Sequence, residues 1–337
     1  MISDERILMA HGEGGELTRD LIQSVFVAAL DNDELRALGD AAIVPAPGDR
    51  LALTTDSFVV KPAVFPGGDI GKLAVCGTVN DLAVAGAVPR YLTTGFVLEE
   101  GLELALLREV VRSMAETARQ AGVTVVAGDT KVVERGAADG LYINTAGLGH
   151  VPAGRSLGPE RLCPGDLLLV NGTLGDHGMA VMMAREGLPF DTPIASDCAP
   201  LNDLVETMLV AGGAYVRCLR DATRGGLATV LNEWAGDRVG LALNETALPI
   251  APAVAAACEF LGLDPLYVAN EGKLVAAVAP DAAPAVLAAM RAHPLGGEAA
   301  VVGQVTASHP GLVTLRTPYG SERVLPMLAG GQLPRIC

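Results

Sequence analysis

The stretch DIGKLAVCGTVNDLAVAGAVPRYLTTGFVL, residues 69–98, decides the fold class. It opens on Asp69, whose side-chain oxygen can cap free helical N–H groups, directly after Pro66-Gly67-Gly68. A helix is expected over 70–87 and a strand over 91–98. From Leu73 to Ala87 the only charged residue is Asp81. A carboxylate on so apolar a helix must be paired, bind a metal or sit at a helix end.

The same alternation spreads outward. Before this stretch lie a glycine-rich start, a helix over 17–30, and strands over 41–45 and 50–55. After it comes an amphipathic helix over 103–121, with Leu104, Leu107, Val110, Val111, Met114 and Ala118 in one stripe. Strands over 124–127 and 141–148 follow. A turn-rich join spans 151–166, where Pro152, Gly154, Gly158, Pro159, Pro164 and Gly165 crowd together. Beyond it, strands at 167–170, 240–243, 274–278, 301–305 and 312–315 are interspersed with helices at 178–185, 201–210, 226–235, 252–261 and 283–292. This reads as an α/β (mixed α+β) chain of two domains, 1–155 and 156–325, followed by a flexible tail, 326–337.

Composition narrows the function classes. Half of the 337 residues are hydrophobic but only 4% are aromatic, so Ala, Val and Leu must build the core. A net charge of −15 argues against nucleic acid, which needs a basic face. No apolar run reaches the ~18 residues of a membrane span, and the first residues have no signal-peptide form. The six cysteines form no C-x-x-C pair, and none stands at zinc-finger spacing from a histidine. Reduced thiols and a cytoplasmic location are expected.

Chemistry concentrates in acidic residues beside small ones. Asp40 precedes the expected strand at 41–45, Asp56 ends the strand Leu53-Thr54-Thr55, and Asp129 closes another in Ala127-Gly128-Asp129-Thr130-Lys131. Together with Asp81, these would make an oxygen cage for Mg²⁺, which favours carboxylates plus phosphate oxygens. For any one of them a turn, a cap or a salt bridge is the alternative. No phosphate-binding P-loop is present; Gly67-Gly68-Asp69-Ile70-Gly71-Lys72-Leu73 has the wrong spacing and no hydroxyl after the lysine. No G-x-G-x-x-G follows a strand. Glycine clusters occur instead at His11-Gly12-Glu13-Gly14-Gly15, Gly175-Asp176-His177-Gly178 and Arg220-Asp221-Ala222-Thr223-Arg224-Gly225-Gly226; the last leads into a helix whose free N–H groups can meet an anion. Glu271 sits in Asn270-Glu271-Gly272-Lys273 between apolar runs that can raise its pKa; an ion pair with Lys273 or Lys131 is the alternative. The chain ends Gly330-Gly331-Gln332-Leu333-Pro334-Arg335-Ile336-Cys337. Eight extended residues span about 25–29 Å, so this terminal thiol is tethered within reach of an active site. Arg335 favours its thiolate and the α-carboxylate opposes it.

These segments, with Thr54-Thr55-Asp56-Ser57, Phe65-Pro66-Gly67-Gly68 and Asn80-Asp81-Leu82, resemble in order and nearly end to end the HypE family of hydrogenase maturation factors. Pro334-Arg335-Ile336-Cys337 is the most specific element. The family lies in the superfamily of aminoimidazole ribonucleotide synthetase and selenophosphate synthetase, which bind ATP without a P-loop. The resemblance implies a two-domain fold whose N-terminal, ATP-binding domains pair into a β-barrel at a homodimer interface. It implies that a carbamoyltransferase, HypF, loads a carboxamide on the sulfur of Cys337. ATP-dependent dehydration then gives a thiocyanate, and the cyano group passes to a HypC–HypD iron scaffold for the [NiFe]-hydrogenase centre. The implied metal and phosphate positions are Asp40, Asp56, Asp81 and Asp129, with Thr130, Gly14, Gly15, Asp221 and Arg224 at the nucleotide. Lys131 would stabilise developing charge, Glu271 would be the base, and His11 would belong to a closing lid. One departure matters: the superfamily's paired aspartates are here a single Asp40, which leaves the number of metal ions open. Two rival readings remain, a synthetase of the same superfamily with a diffusible substrate and a non-catalytic thiol carrier or scaffold.

Overall fold

The computed structural model describes residues 6–12, 16–36, 42, 44–46, 48–187, 193–328 and 336–337. After a 3-10 turn, Met9–Gly12, the chain forms α1 (Glu16–Leu21), a π-helical stretch (Ile22–Val27), α2 (Ala28–Leu30) and α3 (Asp33–Arg36). Next come β1 (Leu51–Phe58), the short ribbon β2 (Val64–Phe65) and β3 (Gly68–Asp69), α4 (Ile70–Val84), β4 (Val88–Glu99), α5 (Leu104–Ala121), β5 (Thr124–Val133) and β6 (Leu141–His150). The long strands make one sheet in the order β1-β6-β4-β5, with β4 and β5 parallel and the other pairs antiparallel.

The second half forms β7 (Leu167–Val170), α6 (Asp176–Glu186), α7 (Asn202–Gly212), β8 (Val216–Asp221), α8 (Gly226–Trp234) and β9 (Gly240–Asn244). It continues through α9 (Pro252–Leu261), β10 (Leu274–Val278), α10 (Ala283–Ala292), β11 (Ala300–Thr306), β12 (Val313–Arg316) and β13 (Glu322–Val324). Seven strands order as β13-β12-β9-β11-β7-β10-β8, antiparallel except for β12 beside β9. Among the described residues neither sheet closes on itself, and no helix is long and apolar enough to cross a membrane.

α4 is the hub. Asp69 caps it, accepting from Gly71 N at 2.7 Å and Lys72 N at 3.1 Å, as its sequence position predicts. The helix packs on α5 and on β1 and β6 of its own sheet, and also on α7 and β8 of the second half. That is why its residues are apolar all round: it has no solvent face to pattern. A Cβ at Gly71 would run into the Val110 carbonyl of α5, so glycine permits the close crossing. α5 is the opposite case, with Leu104, Leu107, Val110, Val111, Met114 and Ala118 buried on one stripe. It ends at Gly122, whose φ of 67° suits a left-handed cap.

The structure departs from the sequence expectations in a few places. Ala42, Val44 and Pro45 are irregular, not strand; the rest of the expected strand at 41–45 lies outside the described residues. β5 continues to Val133, so Asp129 is mid-strand and exposed instead of closing the strand. β5 is an edge of its sheet, where polar residues are tolerated and even favoured. β8 and β13 were not expected, because Arg217, Arg220, Glu322 and Arg323 break any apolar alternation.

Candidate active site

The acidic residues gather where α4, β1, β8 and the 269–273 segment meet. Asp81, on α4, accepts from the Thr54 hydroxyl of β1 at 2.9 Å. Burial pushes its pKa up and the neighbouring Asp56 adds to the effect, while Thr54, Arg220 and Arg224 oppose them. Asp56 accepts from its neighbour Ser57 N at 2.8 Å, and burial raises its pKa against the pull of Arg224. Asp221, at the end of β8, is pushed up to about 7 by burial and then by the charge of Asp81. Three carboxylates thus share one field with too little cation to balance it.

Glu271 lies beside them, 3% exposed. Burial drives its pKa well above the usual carboxylate range, and Cys198, Asp221, Asp197 and Asp56 push the same way. It has no ion pair among the described residues. Lys273 instead pairs with Asp197 at 3.1 Å and Asp176 at 3.8 Å, and Lys131 with Asp129 at 3.2 Å, so neither ion pair that the sequence allowed for Glu271 is formed.

The segment carrying Glu271 is irregular yet fully tied. Asp197 accepts from Glu271 N at 3.1 Å and Gly272 N at 3.2 Å. Asn80 of α4 donates to the Glu271 carbonyl at 3.2 Å, and Asn171 donates to the Gly272 carbonyl at 3.1 Å. The buried Asn270 donates to the Ala222 carbonyl at 2.8 Å and accepts from Gly175 N at 2.7 Å. A Cβ at Gly272 would overlap the Asp197 carbonyl, which makes glycine obligatory there. Side chains here do the pairing that a strand ladder would do elsewhere.

The last two residues enter this cleft. The Ile336 side chain is 2% exposed within the N-terminal core, and Cys337 packs against the same cluster. The Ile336 carbonyl accepts from His177 Nε2 at 2.9 Å, and a Cys337 α-carboxylate oxygen from Val59 N at 3.1 Å. Burial pushes the Cys337 thiol up to about 12; the charges of Glu271 and Asp56 add to this, and Arg224 counters it. Arg335, which the sequence suggests would favour thiolate, lies outside the described residues. Cys198 stands nearby against Cys76, and that neighbour together with burial holds the Cys198 pKa well up.

The structure thus brings together Asp56, Asp81, Asp221, Arg224, Glu271 and Cys337. It sets apart Asp129, Thr130 and Lys131. Asp56 on β1 is level with Gly128, the residue before Asp129 on β5, at the opposite edge of the sheet, about 14 Å away at three strand spacings. Asp129 and Lys131 are exposed and line a separate cleft of about 810 Å³ between β4–β5 and α1–α3. His11 is buried in the Met9–Gly12 turn, its Nδ1 accepting from Leu8 N at 2.9 Å, and the following Gly12 abuts Val132 of β5. Gly14, Gly15 and Asp40 lie outside the described residues.

One chain therefore does not assemble the expected four-carboxylate cage, and among the described residues no three His, Cys, Asp or Glu side chains stand close enough to hold an ion. Asp56, Asp81 and Asp221 still fit Mg²⁺, because their oxygens are hard donors held together in a site whose burial raises the pKa of each. Mg²⁺ commonly takes only one or two carboxylates and completes its shell with phosphate and water. Sequence reading missed Asp197, Ser196, Asn171 and the inward role of Asn80. Their partners lie up to 191 positions away, and no local pattern marks them.

Family models match both halves: the N-terminal domain of AIR synthase related proteins over residues 38–151 and the C-terminal domain over 163–315. A protein from Rhizobium leguminosarum bv. viciae named carbamoyl dehydratase HypE is 54% identical over 337 residues, covering 100% of this chain and 96% of that one. The chain belongs to the HypE family. The HypE of Escherichia coli is 52% identical over 98% of this chain and 99% of its own. A HypE crystallised in complex with ATP superposes with a TM-score of 0.93 at 47% identity, covering 98% of this chain and 99% of that one. A HypE–HypF complex contains a chain that matches with a TM-score of 0.80 at 50% identity, over 91% and 99%.

Proposed function

We propose that this HypE-family chain uses ATP to dehydrate a carboxamide carried on Cys337 to a thiocyanate, the source of a cyano ligand for a [NiFe]-hydrogenase iron centre. The observation that carries this reading is the position of Cys337: the terminal thiol lies in the field of Glu271, Asp56 and Arg224. The naming of its relatives as carbamoyl dehydratases and the ATP complex of one of them support it. Neither rival reading accounts for a terminal cysteine seated among buried acids.

In the proposed reaction the carboxamide oxygen attacks the γ-phosphorus of ATP and ADP leaves. The nitrogen gives up one proton as the oxygen is phosphorylated and its second as phosphate leaves the carbon, so that two C–N π bonds replace the C–O bonds and S–C≡N results. Glu271, desolvated and rigidly held, takes a proton from the nitrogen; a carboxylate whose pKa is raised is a stronger base. Arg224, Asp56, Asp81 and Asp221 position the nucleotide, and Mg²⁺ bound to these carboxylates would neutralise its phosphates. Closure of the cleft excludes water, which would otherwise hydrolyse the activated amide.

The same thiol is a poor acceptor where it rests. With its pKa pushed up to about 12, the thiol stays protonated at pH 7. Loading by a carbamoyltransferase of the HypF type therefore takes place with the tail withdrawn, and dehydration with the tail inserted. We assign residues 1–155 to nucleotide binding and pairing, 156–325 to the domain bearing Glu271, and 326–337 to the carrier arm. HypC–HypD is the receiving scaffold in this scheme. In a homodimer that sets β5 of one copy beside β1 of the other, Asp129, Thr130 and Lys131 would complete the neighbour's site.

The test is mass spectrometry of the C-terminal peptide after incubation with the carbamoyltransferase, carbamoyl phosphate and ATP. The peptide should gain a carboxamide and then lose one water, and Cys337→Ala should abolish both changes while leaving ATP binding intact. Thiocyanate formation that survives Cys337→Ala would end the proposal.

A further inference from the structure

His177 is a fully buried imidazole for which the reaction above has no use. It stands in the first turn of α6, fixed on three sides. Its Nδ1 lies 2.8 Å from Ser196 Oγ, its Nε2 lies 2.9 Å from the Ile336 carbonyl oxygen, and Phe65 meets the ring edge-on with centroids 5.4 Å apart at 86°.

A carbonyl oxygen only accepts. Nε2 therefore carries the proton, and the bare Nδ1 accepts from the Ser196 hydroxyl. Ser196 is itself anchored: its N donates to the Pro66 carbonyl at 2.7 Å, and its Oγ accepts from Cys198 N at 3.1 Å. Burial lowers the imidazole pKa, which favours the neutral form that this arrangement needs. The contact engages the backbone of the penultimate residue. One residue on, a Cys337 α-carboxylate oxygen accepts from Val59 N at 3.1 Å. Two hydrogen bonds one residue apart, with Ile336 packed in the core, fix the direction of the last peptide and so the position of the thiol.

We propose that His177, oriented by Ser196, is the positioning residue that captures the Ile336 carbonyl and holds the Cys337 sulfur before Glu271. Its bearing on catalysis rests on the functional reading above; the capture itself does not.

The test uses the full-length protein and two readouts. In the first, Cys337 is alkylated with iodoacetamide and the C-terminal peptide is quantified by mass spectrometry. A withdrawn thiol reacts and a captured one does not, so His177→Phe should react about tenfold faster than wild type, the effect of one lost hydrogen bond. Ser196→Ala should also react faster, and His177→Gln, which keeps an N–H donor, should stay near wild type. Equal rates in natively folded wild type and His177→Phe overturn the capture. Should His177→Phe fail to fold, Ser196→Ala reacting at the wild-type rate overturns it instead. In the second readout, single turnovers separate loading from dehydration. His177→Phe should slow ATP-dependent loss of water from the loaded peptide about tenfold without slowing carbamoyl transfer to Cys337. Equal slowing of both steps would mark a merely structural residue and overturn the proposal. A wild-type protein that forms no thiocyanate sinks the functional reading alone, and the alkylation rates still decide the capture.

Discussion

Glu271 and Asp221 are carboxyls raised by the same two causes, burial first and like charge second, yet they give separable predictions. Glu271→Gln preserves shape and backbone hydrogen bonds while removing the base. Single-turnover dehydration should fall by about 10²–10⁴-fold, with ATP affinity by calorimetry changing far less. A larger loss of affinity than of rate would make Glu271 a nucleotide ligand. Asp221 titrates near 3.9 in an unfolded chain but at about 7 in the fold. Between those values the folded state holds the extra proton. Its stabilisation is complete below about pH 4 and is lost as pH rises through 7, by at most about 4 kcal/mol. Asp221→Asn should accordingly raise Tm relative to wild type at pH 8, in the absence of nucleotide, and change it little at pH 4. The opposite trend in thermal scans would refute the assignment. Asp81 and Glu271 were legible in the sequence because a charge in an apolar run advertises its own cost. Asp197, which holds the Glu271 backbone, was not: Ala195-Ser196-Asp197-Cys198 looks like any polar loop, and its meaning comes from partners 74 and 75 positions away.

At the scale of elements, α4 shows what short-range physics fixes. Its start is set by Asp69, and Asp69→Ala should cost about 1 kcal/mol, a few degrees of Tm in a domain of this size, with ATP binding retained. No change in Tm would mean that tertiary packing alone fixes the helix start. Most helices were legible to within a turn, because caps and amphipathic stripes are local. α9 begins at Pro252, and α10 runs to Ala292 within the expected limits. Strands at sheet edges were harder. β5 overruns its expected end because Gly128-Asp129-Thr130-Lys131 reads as a turn, yet Gly95 to Val97 of β4 offers it a parallel partner. β8 hides behind two arginines for the same reason: pairing with β10 supplies what its own sequence lacks.

For the whole molecule, the separation of Lys131 from Glu271 is the fact with the sharpest consequence. If β5 of one copy completes the site of another, two inactive variants should complement. Mixing Lys131→Ala with Glu271→Gln protein and allowing subunits to exchange gives heterodimers with one intact site each. Activity should return to about a quarter of wild type under random pairing, the proportion that symmetry dictates. A mixture that stays inactive places both residues in the same chain's site. Asp129 and Lys131 were legible in the sequence, but the sheet between them and Asp56, about 14 Å or three strand spacings, was not.

The tail's anchorage has one more consequence. Ile336 is held by His177 of the second half, and Cys337 by Val59 of the first, so the chain terminus staples the two halves of the cleft together. In the proposed scheme, tail insertion and cleft closure are then two descriptions of one equilibrium. Any ligand that prefers the closed cleft must draw in the tail by the same factor by which the inserted tail tightens that ligand. Conversely, a tail withdrawn to be loaded leaves behind a looser cleft. In the proposed scheme, loading with the tail out therefore competes with nucleotide binding that draws the tail in.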